Sequence, residues 1–263
     1  MSGGRAVPAD PVEPLYVGGP DGPWAEVQDR FREDGRAVVY TTWGAWAPTA
    51  LLDPALPRLL DRDWPRYRQL PHADQRLGFA ASRYVMKYTA AAALEAGVEE
   101  IDLVYQPGGR PGLRGRDDIT LSLAHTDELL VAGVSRTGLI GVDAELADRD
   151  ISFDLMSGHV CTPGETARLS VLSAPERASR FLRLWTLKEA YTKALGYGLR
   201  RRFSTVGFEG EETGAAVLSA PAADAAHWEF RTHRVQDRYL VSEAHRGDRA
   251  ASQPPPGPGR DWV

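Results

Sequence analysis

Two carboxylates stand one residue apart in the segment Leu139–Glu145, LIGVDAE. Read as a strand, its period of two puts Ile140, Val142 and Ala144 on one face and Gly141, Asp143 and Glu145 on the other. Both acids then project side by side from one surface. A solvated strand face is one reading of that pair. The other starts from the repulsion between neighbouring like charges and from Gly141, which clears space beside them; a hard divalent cation would answer both. Mg²⁺ takes one or two protein carboxylates and leaves its other positions to water and phosphate oxygens. A third carboxylate close by would strengthen the second reading.

Glu189 is the candidate third acid. In WTLKEAYTKALGYG, Trp185–Gly198, the residues Glu189 and Lys193 share one helix face at a spacing of four. Such a pair is common on helix surfaces, but here it borders the apolar stripe of Phe181, Leu184, Trp185, Leu187, Tyr191 and Leu195. Between Arg177 and Arg202 stand eight basic residues, Arg177, Arg180, Arg183, Lys188, Lys193, Arg200, Arg201 and Arg202, against the single acid Glu189. That concentration suits a phosphorylated ligand or an acidic partner; a solvated helix face is the alternative. His125 closes the apolar alternation Ile119, Leu121, Leu123 and so sits at a strand end, where a hydrogen-bonded structural role competes with a functional one. Arg76, Arg83, Lys87 and Arg110 matter only if the fold makes them converge.

The elements that position these residues follow from periodicity and turn signals. A strand is predicted at Ala37–Thr42, a helix over Pro71–Ala96 and a strand at Glu100–Gln106. The turn GGRPGLRG, Gly108–Gly115, marks a domain border. Strands at Ile119–Ala124, Leu130–Ser135 and Leu139–Glu145 then form an antiparallel meander, followed by a helix over Pro175–Gly196 that Gly196 and Gly198 end. Strands near Phe203–Phe208, Trp228–Val235 and Tyr239–Glu243 complete the second half. The expected fold is α+β with two similar halves, each a long helix packed on a small, mostly antiparallel sheet. The expected division is a flexible arm at 1–14, an N-terminal subdomain at 15–112, a C-terminal subdomain at 113–244 carrying the acidic residues, and a flexible Pro/Gly-rich tail at 245–263.

Composition narrows the function classes. Of 263 residues, 43% are hydrophobic and 25% charged, which excludes collagen-like and wholly disordered chains. No run approaches the ~20 apolar residues of a membrane span, and the start lacks the apolar stretch of a secretory signal, so a soluble, cytoplasmic protein without membrane partners is expected. The lone Cys161 can supply neither an intrachain disulfide nor a multi-thiolate metal site. A net charge of −5 gives no general attraction for nucleic acid, so phosphate chemistry must be local.

Four segments, taken together, resemble a known family. GRPGL (Gly109–Leu113), TLSLAHT (Thr120–Thr126), GVDAE (Gly141–Glu145) and WTLKEAYTKALGYGL (Trp185–Leu199) resemble, in order and spacing, the motifs of the 4′-phosphopantetheinyl transferases of the Sfp type. The resemblance implies a pseudo-twofold monomer with its active site in the cleft between two α+β subdomains. It implies transfer of the phosphopantetheine arm of coenzyme A to a serine of an apo acyl or peptidyl carrier protein, with release of adenosine 3′,5′-bisphosphate. Asp143, Glu145 and Glu189 would hold Mg²⁺, or Mn²⁺, against the pyrophosphate, and Lys193 would contact the same phosphates. His125 and Arg76 would grip the nucleotide end, Arg83 and Lys87 fall in a helix that carries coenzyme A contacts, and Arg110 and Lys188 are further contacts. Glu189, directly or through water, is the implied proton acceptor. Two departures stand out: Ala124 where the family places a serine and Ser122 where it places an asparagine, while Arg110 replaces a lysine with a differently shaped cation. A non-catalytic coenzyme A or carrier-binding homologue and a Mg²⁺-dependent nucleotide hydrolase are the competing expectations.

Overall fold

The computed structural model describes residues 13–196, 202–219 and 227–247. In chain order the first half runs β1 (Leu15–Tyr16), α1 (Trp24–Asp34), β2 (Arg36–Thr42), three short helices α2 (Ala47–Leu52), α3 (Leu56–Leu60) and α4 (Trp64–Gln69), then α5 (Ala73–Leu94), β3 (Leu103–Tyr105), β4 (Pro111–Leu113), β5 (Thr120–Thr126) and β6 (Leu129–Ser135). The second half runs β7 (Gly138–Leu146), α6 (Phe153–Val160), α7 (Pro163–Ser170), α8 (Ala174–Leu195), β8 (Phe208–Glu209), β9 (Ala215–Leu218), β10 (Trp228–Val235) and β11 (Tyr239–Gly247). The α+β class is as expected, and the expectations for the arm at 1–12, for Arg200 and Arg201 and for the tail beyond Gly247 lie outside the described residues.

The β5, β6 and β7 segments do not form one meander. β5 and β6 join β2 and β1 in a four-stranded sheet ordered β1–β2–β6–β5, whereas β7 opens a five-stranded sheet ordered β7–β11–β10–β9–β8. The chain passes from one sheet to the other at the turn between Ser135 and Gly138, because burial of apolar faces decides sheet membership. Leu121, Leu130, Ala132 and Val134 pack on α5 with Tyr84, Val85 and Met86, and Leu139 packs with Phe181, Leu184 and Leu187 of α8. The boundary at 245 shifts, since β11 pairs with β7 through Gly247 and buries His245 between the halves.

Each sheet is backed by one helix of 22 residues, α5 or α8. α8 starts with Pro175 in its first turn, where no intrahelical N–H is lost, and stops at Gly196, whose φ of 72° places it in the left-handed region. A third apolar cluster joins the sheets, with Val38, Ala124, Leu129 and Val131 of the first against Ile140, Val142, Ala144 and Val241 of the second. There β5 and β7, each the terminal strand of its sheet, run against each other without a backbone ladder. Thr120 Oγ1 donates to the Gly138 carbonyl at 2.7 Å, and Ser122 Oγ accepts the Val142 N–H at 3.0 Å.

Candidate active site

Alternation along β7 sends Ile140, Val142 and Ala144 to the seam between the sheets and Asp143 and Glu145 toward α8. Gly141 does not clear room for a cation: a Cβ there would stand 2.0 Å from the Ala190 carbonyl oxygen and 2.4 Å from the Ala194 nitrogen. Its missing side chain lets α8 press against β7. That close approach brings Glu189 and Lys193 to the two strand acids.

Lys193 Nζ donates to Asp143 Oδ1 at 2.7 Å, while Asp143 Oδ2 is buried with no partner among the described residues. Glu145 pairs with Arg149 and lies 3.5 Å from Thr126 Oγ1 at the end of β5. Burial is the first cause that pushes the Asp143 and Glu145 carboxyls above their ordinary range, with Lys193 and Arg149 pulling each back. Glu189 is pushed up to about 7, first by burial and then by Asp143, with Glu145 adding a smaller contribution. Asp143 thus raises the carboxyls of Glu145 and Glu189, and all three acids keep too little cationic compensation from Lys193 and Arg149.

His125 ends β5 on the α5 side of the seam. It is held below the ordinary imidazole range, first by burial and then by the Lys193 charge, with Asp143 opposing. It lines a cleft of about 630 Å³ together with Trp43, Arg66, Phe79, Ser82, Arg83, Leu123 and Asp127. The Arg83 guanidinium lies 4.0 Å from the Phe79 ring centroid and that of Arg66 lies 5.4 Å away, so two cations face one aromatic wall. The lining of the cleft comes from the first half alone, and His125 is the lining residue that feels the charges of Lys193 and Asp143 in the second.

The remaining sequence candidates separate. Arg76 donates to the Leu70 carbonyl at 2.7 Å, ahead of α5, and is not among the cleft-lining residues. Arg110 lies against the end of α8, 3.3 Å from where a Cβ on Gly196 would stand, with Nη2 buried and unpartnered among the described residues. Lys188 is not a ligand contact. Only 1% exposed, it donates to Glu165 Oε2 and the Val160 carbonyl at 2.6 Å each and to the Phe203 carbonyl at 3.1 Å. One step from Glu189 turns a helical side chain by roughly 100°, which carries Lys188 from the acidic group into the core. Lys87 is likewise buried behind the cleft wall, in a cavity it shares with Asp61, Asp63 and Asp102.

Sequence reasoning gave no site role to Arg66, Phe79, Asp127 or Arg149. It also missed Glu165, although Thr162-Pro-Gly-Glu165 is a capping box visible in the sequence. Among the described residues no three His, Cys, Asp or Glu side chains already surround one point; Lys193 pairs with Asp143 and Arg149 with Glu145. The oxygen-only donor set, the orphaned Asp143 oxygen and the uncompensated negative charge fit Mg²⁺.

Residues 139–244 match a family model described as the 4′-phosphopantetheinyl transferase superfamily. The stretch from β7 to β11 therefore contains both acid-bearing elements. A Thraustochytrium sp. protein named phosphopantetheinyl transferase is 29% identical over 182 residues, 62% of each chain. A Synechocystis sp. protein, provisionally named 4′-phosphopantetheinyl transferase, is 28% identical over 182 residues, 68% of this chain and 71% of its own length. The 4′-phosphopantetheinyl transferase HetI of a Nostoc sp. is 27% identical over 131 residues, 49% of this chain and 55% of its own. The chain thus spans between about half and seven-tenths of these relatives' lengths. No helix among the described residues is long and apolar enough to cross a membrane.

Proposed function

We propose that this chain transfers the 4′-phosphopantetheine arm of coenzyme A to a serine hydroxyl of an apo carrier protein, as an Sfp-type enzyme acting as a cytoplasmic monomer. The observation that carries the reading is the convergence of Asp143, Glu145, Glu189 and Lys193 beside the cleft that His125 and Arg83 line. The serine oxygen bonds to the phosphorus nearest the pantetheine, the bond from that phosphorus to the bridging pyrophosphate oxygen breaks, and adenosine 3′,5′-bisphosphate leaves. Asp143, Glu145 and Glu189 would hold Mg²⁺, or Mn²⁺, which when bound neutralises charge on the pyrophosphate.

The chain's own groups cover the other requirements. Glu189 accepts the serine proton, directly or through water. Lys193 exchanges its bond to Asp143 for a phosphate oxygen. His125 and Arg83 offer donors to the nucleotide phosphates, with Arg76, on the same helix as Arg83, and Arg110 at the end of α8 as further contacts. Ser122 and Ala124 face the seam rather than the cleft, so their departure from the family pattern leaves the ligand-facing groups in place.

The test is to incubate the protein with coenzyme A, Mg²⁺ and an apo carrier, then weigh the carrier intact. A mass gain of one phosphopantetheinyl group is expected. Nucleotide release without carrier modification would point to a hydrolase, and coenzyme A binding without either would point to a non-catalytic homologue.

A further inference from the structure

Asp63 and Tyr105 touch no part of the acidic group, and neither belongs to a motif of the sequence. Asp63 occupies the residue before α4, a position where an aspartate ordinarily caps the helix by accepting an early N–H, yet its side chain makes no such cap. The carboxylate instead turns inward. Oδ2 accepts Arg83 Nε at 2.8 Å and the Tyr105 hydroxyl at 2.8 Å. The preceding turn is forced, with Asp61 at a φ of 45°. Both partners of the Arg83–Asp63 ion pair are mostly buried, with side-chain exposures of 11% and 12%.

Arg83 is held on its other sides as well. Nη1 donates to Ser82 Oγ at 2.9 Å, and the guanidinium plane lies against the Phe79 ring at 4.0 Å and near the Tyr105 ring at 5.3 Å. Behind it a cavity of about 10 Å³, lined by Asp61, Asp63, Lys87 and Asp102, leaves room for at most about one water. The side chain therefore has almost no rotamer freedom, and its Nη2 edge carries none of these bonds. An arginine fixed in this way has already lost the entropy that a phosphate contact would otherwise cost.

We infer that Asp63, supported by Tyr105, is a positioning residue for coenzyme A recognition: it locks Arg83 in the cleft wall so that the guanidinium meets a phosphate of the nucleotide end preorganised. This rests on the proposed function. Lys87 belongs to the same supporting layer, behind Arg83 and out of reach of the ligand.

The test is calorimetric binding of coenzyme A and of adenosine 3′,5′-bisphosphate to the full chain and to the variants Asp63→Asn, Tyr105→Phe, Arg83→Ala and Asp63→Asn/Arg83→Ala, with KM and kcat for transfer alongside. Loss of one charge-assisted hydrogen bond to Arg83 predicts roughly tenfold weaker binding by Asp63→Asn and a smaller loss by Tyr105→Phe. KM for coenzyme A should rise with a much smaller change in kcat. In the Arg83→Ala background Asp63→Asn should weaken binding no further, because its effect passes through Arg83. Unchanged binding by Asp63→Asn, or equal losses in both backgrounds, overturns the inference while leaving the proposed function intact. Absence of coenzyme A binding by the unaltered protein overturns both. If Asp63→Asn does not fold, Tyr105→Phe decides by the same non-additivity with Arg83→Ala.

Discussion

Adjacent residues of α8 serve two charge clusters built on opposite terms. Lys188 and Glu165 are each about 1% exposed, and every polar group between them is used: Glu165 Oε1 accepts the Phe208 N–H at 2.8 Å, and Oε2 accepts the Thr162 N–H at 2.7 Å and Lys188. Around Glu189 three acids share Lys193 and Arg149, one Asp143 oxygen has no partner among the described residues, and all three carboxyls are pushed upward. The first cluster is a closed account of donors and acceptors that fixes α7, β8 and the end of α6 to α8. The second holds unspent binding capacity. Two clusters that both pair a lysine with carboxylates, rooted one position apart on a helix, therefore do different work, and what separates them is satisfaction, not composition.

The largest effect that would sharpen this contrast is loss of transfer. Asp143→Ala and Glu145→Ala should each abolish Mg²⁺-dependent carrier modification while the metal-free melting temperature holds or rises, since each removes a carboxylate whose burial opposes its charge. Unfolding of either variant would place the open cluster among the structural ones and break the contrast. Next comes Glu189→Gln, expected to slow transfer by about 10²–10⁴-fold at saturating Mg²⁺, the contribution typical of a general base. Mg²⁺ binding should tighten as pH rises through about 7, where the metal-free Glu189 carboxyl loses its proton, and that dependence should vanish in the variant. Full rescue of the variant by added metal would reduce Glu189 to a ligand.

Lys188→Ala tests the closed cluster. It strands Glu165 without its cation and should cost about 3–5 kcal/mol in chemical denaturation. A loss below about 1 kcal/mol would mean that Glu165 finds other compensation. The smallest effect concerns His245, whose ring contacts Arg36 and lies 3.3 Å from Ser135 Oγ. Burial, then the Arg36 charge, holds it at about 4 against an ordinary 6.5. The unfolded chain takes up the proton first as pH falls, so the stability this group contributes is complete above 6.5 and drains away toward 4. His245→Gln should flatten the stability–pH curve between those values; an unchanged slope would assign the acid sensitivity elsewhere.

Much of the site was legible in the sequence because period-two and period-3.6 patterns report which face a residue shares. Asp143 with Glu145, and Glu189 with Lys193, are local relations of that kind. Lys188 and Lys87 misled because pattern reasoning places a cation on a helix but does not show what lies across from it; Glu165, 23 residues from Lys188, and Asp102, 15 residues from Lys87, decide their roles through tertiary contact. Sheet membership escaped for a similar reason. The turns after β5 and after β6 are both two residues long, yet one joins two strands of a sheet and the other crosses to a new sheet, a choice made by distant apolar partners on α5 and α8.

The seam between β5 and β7 has a further consequence. A terminal strand with bare N–H and C=O groups is a template on which another chain can grow. Here each terminal strand is the other's cover, yet the rungs supplied by Thr120 and Ser122 are side chains rather than a continuous backbone ladder. The fold thus guards these two edges against intermolecular pairing without closing a barrel. The halves are joined along this line by side-chain bonds and apolar packing instead of a shared sheet.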